Sequence, residues 1–258
     1  MTNEQLVSLY LPYPGRGERI LRVFVPAHED GELMPVIYMT DGQNLFDVES
    51  SGFGCWYTRE AVRDERQRSG KAAILVGIHN VDPWRTNELL PKGIGEIHVP
   101  EEARPYFDPQ GEVFDEFLVK TVMPAVEERF PVRTGREHTA FCGSSMGGLF
   151  SFFTALRHPE LFCCAGVLSP AFLFYRDEDL VGWLRSVLQE QKPFLYFFSG
   201  GSDDLERQIC EKMRRFLTQL DELYPKEKIK TVIQPEQRHH ETAWEPIFRD
   251  LLRLFLNH

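Results

Sequence analysis

The sequence predicts an α/β fold in which helices flank a mostly parallel central sheet of about eight strands. The chain has 258 residues, of which 42% are hydrophobic, so it can bury a large core. Short apolar runs rich in β-forming residues alternate with amphipathic stretches along most of its length. No internal repeat, low-complexity tract or linker divides it, and we therefore expect a single domain over residues 1–258.

The predicted strands are short runs of aliphatic and aromatic residues. They lie at residues 6–12, 19–26, 35–42, 72–78, 138–143, 163–170, 193–200 and 229–235. Between the later strands, apolar residues recur at helical spacing, which predicts helices at 112–130, 146–157, 205–224 and 243–256. The first of these contains Pro124, which is expected to kink the helix because proline lacks the N–H that the helical hydrogen bonds need.

Charge and cysteine content limit the classes of partner. The net charge of −10 argues against nucleic acid or an anionic membrane, since both attract a cationic face. The five cysteines lack CxxC or zinc-finger spacing, which indicates reduced thiols. No run approaches the roughly 18 apolar residues of a membrane helix, and the N-terminus MTNEQLVSLY lacks the basic and apolar regions of a signal peptide. We therefore expect a cytoplasmic protein.

The segment from His79 to Gly111 is a long, proline-rich stretch without clear periodicity. Connections of this length in a compact domain are often functional. The alternative is a surface excursion without a role. The aromatic residues Trp84, Tyr106 and Phe107 favour a loop that faces a substrate.

The segment FCGSSMGG, from Phe141 to Gly148, predicts a nucleophilic serine. A serine on a tight turn between a strand and a helix needs glycine two positions before it and two after it. Gly143 and Gly147 have this spacing around Ser145, and a strand precedes the segment while a helix follows it. Ser144 lacks the flanking glycines. A glycine-rich turn without chemistry is the alternative.

A serine hydroxyl needs a histidine base and a carboxylate that orients the histidine. On this kind of turn the three follow in the order serine, acid, histidine. The strand at 193–200 runs into Asp203 and Asp204, and the segment after the last strand carries His239 and His240. Either aspartate could instead cap the following helix, and the histidines could be exposed loop residues.

The tetrahedral intermediate of acyl transfer needs N–H donors, which form an oxyanion hole. Met146 follows the serine and is expected to supply one backbone N–H. The strand at 35–42 runs into DGQN, and we expect the backbone N–H of Gln43 to supply the second. The composition of DGQN also fits an ordinary β-turn.

These motifs resemble those of the putative-esterase family of α/β-hydrolases, which includes esterase D, feruloyl and acetyl-xylan esterases, enterochelin esterases and the antigen-85 mycolyltransferases. The resemblance runs from Val36 to Phe255 and rests on DGQNLFD, GSSMGG, HPELF and SPAF. It implies the α/β-hydrolase fold and serine esterase activity. It implies neither a metal nor an organic cofactor.

The resemblance also assigns roles within the motifs. In HHETAW the family pattern is histidine, any residue, glutamate, two small residues and tryptophan, which makes His239 the base and leaves His240 at the variable position. The family places its acid three residues after a glycine, as in Gly201 to Asp204. Asp204 is therefore the expected acid, and Asp203 fits the same rule counted from the preceding glycine.

The predicted site is open to bulky esters. Many α/β-hydrolases insert a cap domain after the sixth strand, but residues 171–192 leave room for one helix, so we expect no large cap domain. The loop from His79 would form the main wall. Asn44, Trp56 and Arg85 are the residues expected to bind the substrate.

The predicted function is hydrolysis of a carboxylic ester by Ser145, His239 and Asp204, with the N–H groups of Gln43 and Met146 stabilising the oxyanion. The expected substrates are acylated carbohydrate, hydroxycinnamoyl or siderophore-type esters, of which the last is disfavoured by the acidic charge of the chain. Hydrolysis of S-formylglutathione, acyl transfer and non-catalytic binding on the same fold stay open.

The expected partner is a small-molecule ester, with no nucleic acid and no membrane, and assembly into a homo-oligomer stays open. His239, His240 and Glu241 could in principle ligate a metal ion. The chain has no HExxH motif and no second histidine cluster, so we expect no metal site.

Overall fold

A single sheet contains all the strands of residues 2–257, the part of the chain that the computed structural model describes. The strands are β1 Gln5–Pro12, β2 Glu18–Val25, β3 Val36–Met39, β4 Ile74–Ile78, β5 Thr139–Ser144, β6 Cys164–Leu168, β7 Phe194–Ser199 and β8 Ile229–Ile233. Their order in the sheet is β1-β2-β4-β3-β5-β6-β7-β8. The pairs β1–β2 and β2–β4 are antiparallel, and the others are parallel. The predicted mostly parallel sheet is confirmed, and its strand ends lie within a few residues of those expected.

The helices lie in the connections between strands. They are α1 Thr58–Ser69, α2 Arg85–Glu88, α3 Gly111–Phe117, α4 Met123–Arg129, α5 Met146–Arg157, α6 Asp177–Val187, α7 Asp204–Leu220 and α8 Glu241–Asn257. The connection from β6 to β7 holds α6 and one short 3₁₀ turn, so the expected absence of a large cap domain is confirmed for the described chain. Helix α1 was not predicted, because its sequence is mostly charged and only Ala61 and Val62 mark its buried apolar face.

The helix predicted at 112–130 is interrupted where Pro124 acts on it. A π-helical segment, Leu118–Val122, joins α3 to α4, and the N–H of Met123 donates to the carbonyl of Leu118. Pro124 cannot donate to the carbonyl four residues before it and its ring crowds that carbonyl, and the hydrogen bond just before it spans five residues instead of four. Pro124 was expected to kink the helix, and the change observed there is one of hydrogen-bond register.

The sheet topology gathers the candidate site residues at one edge. Strands β3, β5, β6 and β7 are buried along their whole length, as expected for parallel strands covered on both faces. The carboxyl ends of parallel strands share an edge of the sheet, where ligands of open α/β sheets bind. Asp41, Ser145, Asp203 and His239 follow the ends of β3, β5, β7 and β8, so the fold brings these four distant positions to the same edge.

Two further features of the described chain concern its cysteines and its helices. All five cysteines are free, as their spacing predicted, and all five are buried. Within residues 2–257, no helix has the length and apolar character required to cross a lipid bilayer.

Candidate active site

Ser145 occupies the strained turn that joins β5 to α5. Its backbone has φ 59° and ψ −119°, a conformation that non-glycine residues rarely adopt and that persists only where the surroundings hold it. The N–H of Ser145 donates to the carbonyl of Leu168 at 2.9 Å, and its carbonyl accepts the N–H of Ala171 at 3.0 Å. A Cβ on Gly147 would lie 2.1 Å from Oγ1 of Thr40, so this position requires glycine. The tight turn predicted from the glycine spacing is present.

The carboxylate that contacts His239 belongs to Glu206. Nδ1 of His239 lies 2.5 Å from Oε2 of Glu206, whose side chain is fully buried. Asp204 points away, with its side chain 90% exposed and paired with Arg207 on the surface of α7. The expectation that Asp204 orients the histidine is wrong, because α7 begins at Asp204 and its first turn directs Glu206 towards the sheet edge.

Glu206 is held by hydrogen bonds to both of its oxygens. Oε1 accepts the hydroxyls of Ser169 at 2.7 Å and Ser199 at 2.8 Å, and the N–H of Gly200 at 2.6 Å. Burial alone would raise the pKa of Glu206, but the hydrogen bonds from His239, Ser169 and Gly200 hold it below its usual value. The side chain is therefore an ionised acceptor for the Nδ1–H of His239.

Asp203 caps α7 and also contacts the histidine loop. Oδ1 of Asp203 accepts the N–H of Glu206 at 2.9 Å, and Oδ2 accepts the N–H of His239 at 2.7 Å. Burial alone would raise the pKa of Asp203, but these two N–H groups hold it below its usual value. The alternative interpretation of Asp203 as a helix cap is confirmed.

Trp244 supports the histidine from the side. The rings of His239 and Trp244 meet edge to face, with centroids 5.0 Å apart and planes at 88°. Nε1 of Trp244 donates to the hydroxyl of Ser169 at 2.9 Å, and that hydroxyl donates to Glu206. The tryptophan of the HHETAW motif is thus linked to the carboxylate through one serine.

The sequence contains a signal for Glu206 that the spacing rule missed. The buried residues of α7 recur at helical spacing and form one apolar stripe, made of Ile209, Cys210, Met213, Phe216 and Leu220. Glu206 lies three residues before this stripe begins and continues it towards the N-terminus. A carboxylate on the buried face of an amphipathic helix must have partners, and here the partners are the histidine and the two serines.

The backbone after β3 forms the turn that was expected to supply an oxyanion donor. Gln43 is the central residue of the 3₁₀ turn Gly42–Asn44, and a Cβ on Gly42 would lie 2.5 Å from the backbone of Gly77 in β4. Met146 is the first residue of α5, where an N–H has no partner inside the helix. Within residues 2–257, the N–H groups of Gln43 and Met146 donate no backbone hydrogen bond.

A pocket of about 360 Å³ lies at this edge of the sheet. The predicted residues that line it are Gln43, Asn44, Trp56, Arg85, Ser145 and His239. The structure therefore brings the candidate nucleophile and base to one cavity, together with the three residues expected to bind the substrate. Asp204 does not line this pocket.

The three predicted substrate-binding residues also contact other protein groups. Arg85 donates from Nε and Nη2 to the two carboxylate oxygens of Asp41, at 2.6 and 2.8 Å. Nδ2 of Asn44 donates to Oε1 of Glu241 at 3.1 Å. Trp56 is 3% exposed and packs against the ring of Trp244. Their contact with a substrate stays a prediction.

Only the beginning of the loop from His79 to Gly111 faces the pocket. Asn80, Asp82, Pro83, Arg85 and Thr86 line it. The aromatic residues expected to face the substrate do not: the guanidinium of Arg16 lies 4.2 Å above Trp84, Tyr106 is 80% exposed, and Phe107 packs on Phe174. The polar start of the loop, rather than its aromatic residues, forms the wall.

Within the described chain, no group of three or more His, Cys, Asp or Glu side chains is arranged to hold a metal ion. The side chain of His239 is hydrogen-bonded to Glu206, and that of Glu241 accepts a hydrogen bond from Asn44.

A mostly parallel eight-stranded sheet with a strained serine at the turn after β5 has the architecture of the α/β-hydrolases. The family model described as putative esterase matches residues 16–192, which is more than half of the chain. The chain therefore belongs to the putative esterase family, a family of carboxylic-ester hydrolases.

One relative is similar to this chain over most of its length. The siderophore triacetylfusarinine C esterase of Aspergillus fumigatus is 29% identical over 189 residues, which cover 70% of this chain. The match spans 58% of the length of that relative.

Two solved structures share the fold at low identity. The siderophore hydrolase EstA from Aspergillus nidulans is 19% identical, with a TM-score of 0.75 over 98% of this chain and 94% of the other. The enterobactin esterase FES from Shigella flexneri is 17% identical, with a TM-score of 0.75 over 98% of this chain and 59% of the other.

Proposed function

We propose that the protein hydrolyses a carboxylic ester by means of a Ser145, His239 and Glu206 triad. The observation that carries this proposal is the 2.5 Å contact between Nδ1 of His239 and the buried carboxylate of Glu206, in a pocket that His239 shares with Ser145. A carboxylate bound to Nδ1 fixes the tautomer in which Nε2 is free to accept a proton. Glu206 replaces Asp204 as the proposed acid.

The reaction proceeds in two acyl-transfer steps. His239 accepts the hydroxyl proton of Ser145 at Nε2 while the serine oxygen attacks the ester carbonyl carbon. The tetrahedral intermediate collapses, His239 returns the proton to the leaving alkoxide, and an acyl-serine is left. His239 then takes a proton from a water molecule whose oxygen attacks the acyl carbon, and it returns this proton to Oγ of Ser145 as the acyl–serine bond breaks and the acid is released. Glu206 stays ionised and stabilises the imidazolium in both steps.

The oxyanion of each tetrahedral intermediate is placed between the N–H groups of Gln43 and Met146. Gln43 lies in the 3₁₀ turn after β3 and Met146 is the first residue of α5, and neither N–H has a backbone partner among the described residues. Donors that are oriented before the reaction stabilise developing charge without reorganisation, which is the main electrostatic term in acyl transfer.

We propose a siderophore-type ester as the substrate class, ahead of acylated carbohydrate and hydroxycinnamoyl esters. The support is the identity to the triacetylfusarinine C esterase. The pocket adds a restriction on charge. Arg85 is neutralised by Asp41, and Asp82 and Glu241 also line the cavity, so its potential favours a neutral ester over an anionic one.

The experiment is hydrolysis of p-nitrophenyl acetate by the wild type and by Ser145→Ala at matched folded concentration. We expect the wild type to be active and a fluorophosphonate probe to label it, and the variant to lose both properties. Ser144→Ala is the matched control, and it should keep the label. Retention of activity by Ser145→Ala would overturn the assignment of the nucleophile. A wild type that neither hydrolyses the ester nor takes the label would instead indicate a binding protein on a hydrolase fold.

A further inference from the structure

We propose that Asp41 and Arg85 act as a pair of positioning residues that hold the turn with the Gln43 N–H in place. This inference rests on the proposed function, because it assigns the turn a role in stabilising the oxyanion. It also gives Arg85 a different task from the direct substrate contact expected from the sequence.

Asp41 is the residue from which the turn departs. It has φ 55° and ψ 44°, in the left-handed region, and it is only 8% exposed. Aspartate enters this region more readily than most residues, but at an energetic cost that neighbouring contacts must offset. The carbonyl of Asp41 also accepts the N–H of Asn44 at 2.8 Å, so its backbone closes the turn that contains Gln43.

The carboxylate of Asp41 is held by groups from the loop after β4. Arg85 donates to both oxygens, and Nδ2 of Asn80 donates to Oδ1 at 2.5 Å. Burial alone would raise the pKa of Asp41, but these neighbours hold it below its usual value. The bidentate geometry fixes both the position and the orientation of the carboxylate, which a single contact would not.

Arg85 is in turn fixed to the sheet by the helix that carries it. One turn of α2 separates Arg85 from Glu88, which is 1% exposed. Arg19 of β2 binds both oxygens of Glu88, at 2.8 and 2.6 Å, and Arg16 binds it at 2.8 Å. The helix that carries Arg85 is therefore anchored to β2 through Glu88.

The remaining side of the turn is fixed by Asn80 and by close backbone contact. The N–H of Asn80 donates to Oε1 of Gln43 at 3.2 Å, and Gly42 lies directly against Gly77. An oxyanion donor must stand within hydrogen-bond distance of the oxygen that becomes charged, so a small displacement of the turn reduces the rate. Loss of the Asp41–Arg85 pair removes the restraint on the strained end of the turn.

The test compares Asp41→Asn, Arg85→Lys and the double variant with the wild type. We measure kcat and KM for p-nitrophenyl acetate, and the inhibition constant of an aryl trifluoromethyl ketone, which forms a tetrahedral oxyanion adduct with the serine. Each single variant should lower kcat about 10- to 100-fold with KM within about twofold, and should weaken the ketone by a similar factor. The kcat of the double variant should be no lower than that of the less active single variant, since the two residues act as a unit.

The matched control is Arg66→Lys. Arg66 also forms a bidentate pair, with Glu32, and neither residue lines the pocket, so kcat should stay within about twofold. If Asp41→Asn does not fold, Arg85→Lys alone decides the test.

Three outcomes would overturn the positioning role: an increase in KM at unchanged kcat, which would make Arg85 a substrate ligand; independent effects that multiply in the double variant; or single variants that match an active wild type. A wild type that neither hydrolyses the ester nor binds the ketone would overturn the proposed function itself.

Discussion

Oδ2 of Asp203 accepts the backbone N–H of His239 at 2.7 Å, while Oδ1 accepts the N–H of Glu206 at 2.9 Å. One carboxylate thus joins the backbones of the proposed base and the proposed acid. The amide of Asp203→Asn keeps one oxygen, which can still cap α7, but it loses the second oxygen that accepts the N–H of His239. We therefore expect kcat to fall about tenfold while the free energy of unfolding changes by less than about 1 kcal/mol. Steady-state kinetics with urea denaturation separate the two effects. Unchanged kcat in a folded variant would show that this contact does not position the histidine.

Glu206→Gln tests the identity of the acid. An amide can still contact Nδ1 but cannot stabilise the imidazolium, and it favours the wrong tautomer, so kcat should fall about 10³- to 10⁴-fold. The matched control is Asp204→Asn, which removes the neighbouring exposed carboxylate and should leave kcat within about twofold. The opposite result, an inactive Asp204 variant and an active Glu206 variant, would contradict the proposed triad.

Gly147→Ala tests the packing of the turn at Ser145. A Cβ there would overlap Oγ1 of Thr40, so we expect a loss of about 1–3 kcal/mol in the free energy of unfolding and a large loss of activity. Gly182→Ala in α6 is the control, because its Cβ would meet no atom within 4 Å. The same substitution there should stabilise the protein by about 0.5–1 kcal/mol. Urea denaturation of both variants measures the contrast.

His79 makes stability depend on pH. Burial, together with Arg22 and Arg19, lowers its pKa to about 4, and its Nε2 is buried without a hydrogen-bond partner among the described residues. In the unfolded chain His79 binds a proton near pH 6.5, but in the folded chain it does so only near pH 4. Its contribution to the free energy of unfolding is therefore complete above pH 6.5 and is lost as the pH falls from 6.5 to 4. Between pH 7 and 5 the wild type should lose about 1–2 kcal/mol more than His79→Gln in urea titrations. Equal losses would contradict the depressed pKa.

The charge of the pocket predicts a preference between two matched esters. The carboxylate of 4-acetoxybenzoate should meet the negative potential from Asp82 and Glu241, so its kcat/KM should be about tenfold below that of neutral 4-acetoxybenzamide at low salt. Added salt and Asp82→Asn should both reduce the difference. Chromatographic product analysis measures both reactions. A faster anionic ester would show that Arg85 dominates the potential despite its pairing with Asp41.

Much of the fold is readable from the sequence because strand and helix signals are local. Each strand is a short apolar run, and two glycines at fixed positions predict the turn around Ser145. The charged helix α1 was missed because few apolar residues mark its buried face. Pro124 predicted a kink, whereas the structure has a π-helical segment just before it, and the sequence does not distinguish these two responses of a helix to proline.

The site could be predicted only in part, because the contacts between side chains that are distant in the sequence depend on the three-dimensional fold. Counting residues after a glycine selected Asp204, whereas the start of α7 decides which side chain faces the histidine. The pairing of Asp41 with Arg85 joins residues 44 positions apart and leaves no pattern in one sequence. The sequence did contain a signal for Glu206, because helix periodicity places this carboxylate in line with the apolar stripe of α7.

Gly42 and Gly77 constrain how this sequence can diverge. A Cβ on Gly42 would lie 2.5 Å from the backbone of Gly77, and a Cβ on Gly77 would lie 2.8 Å from Cα of Gly42. Neither position can gain a methyl group unless the turn moves away from β4, and the same movement would displace the Gln43 N–H. Descendants that keep esterase activity should therefore retain both glycines, and a homologue that has lost them together is a candidate for a non-catalytic member of the lineage.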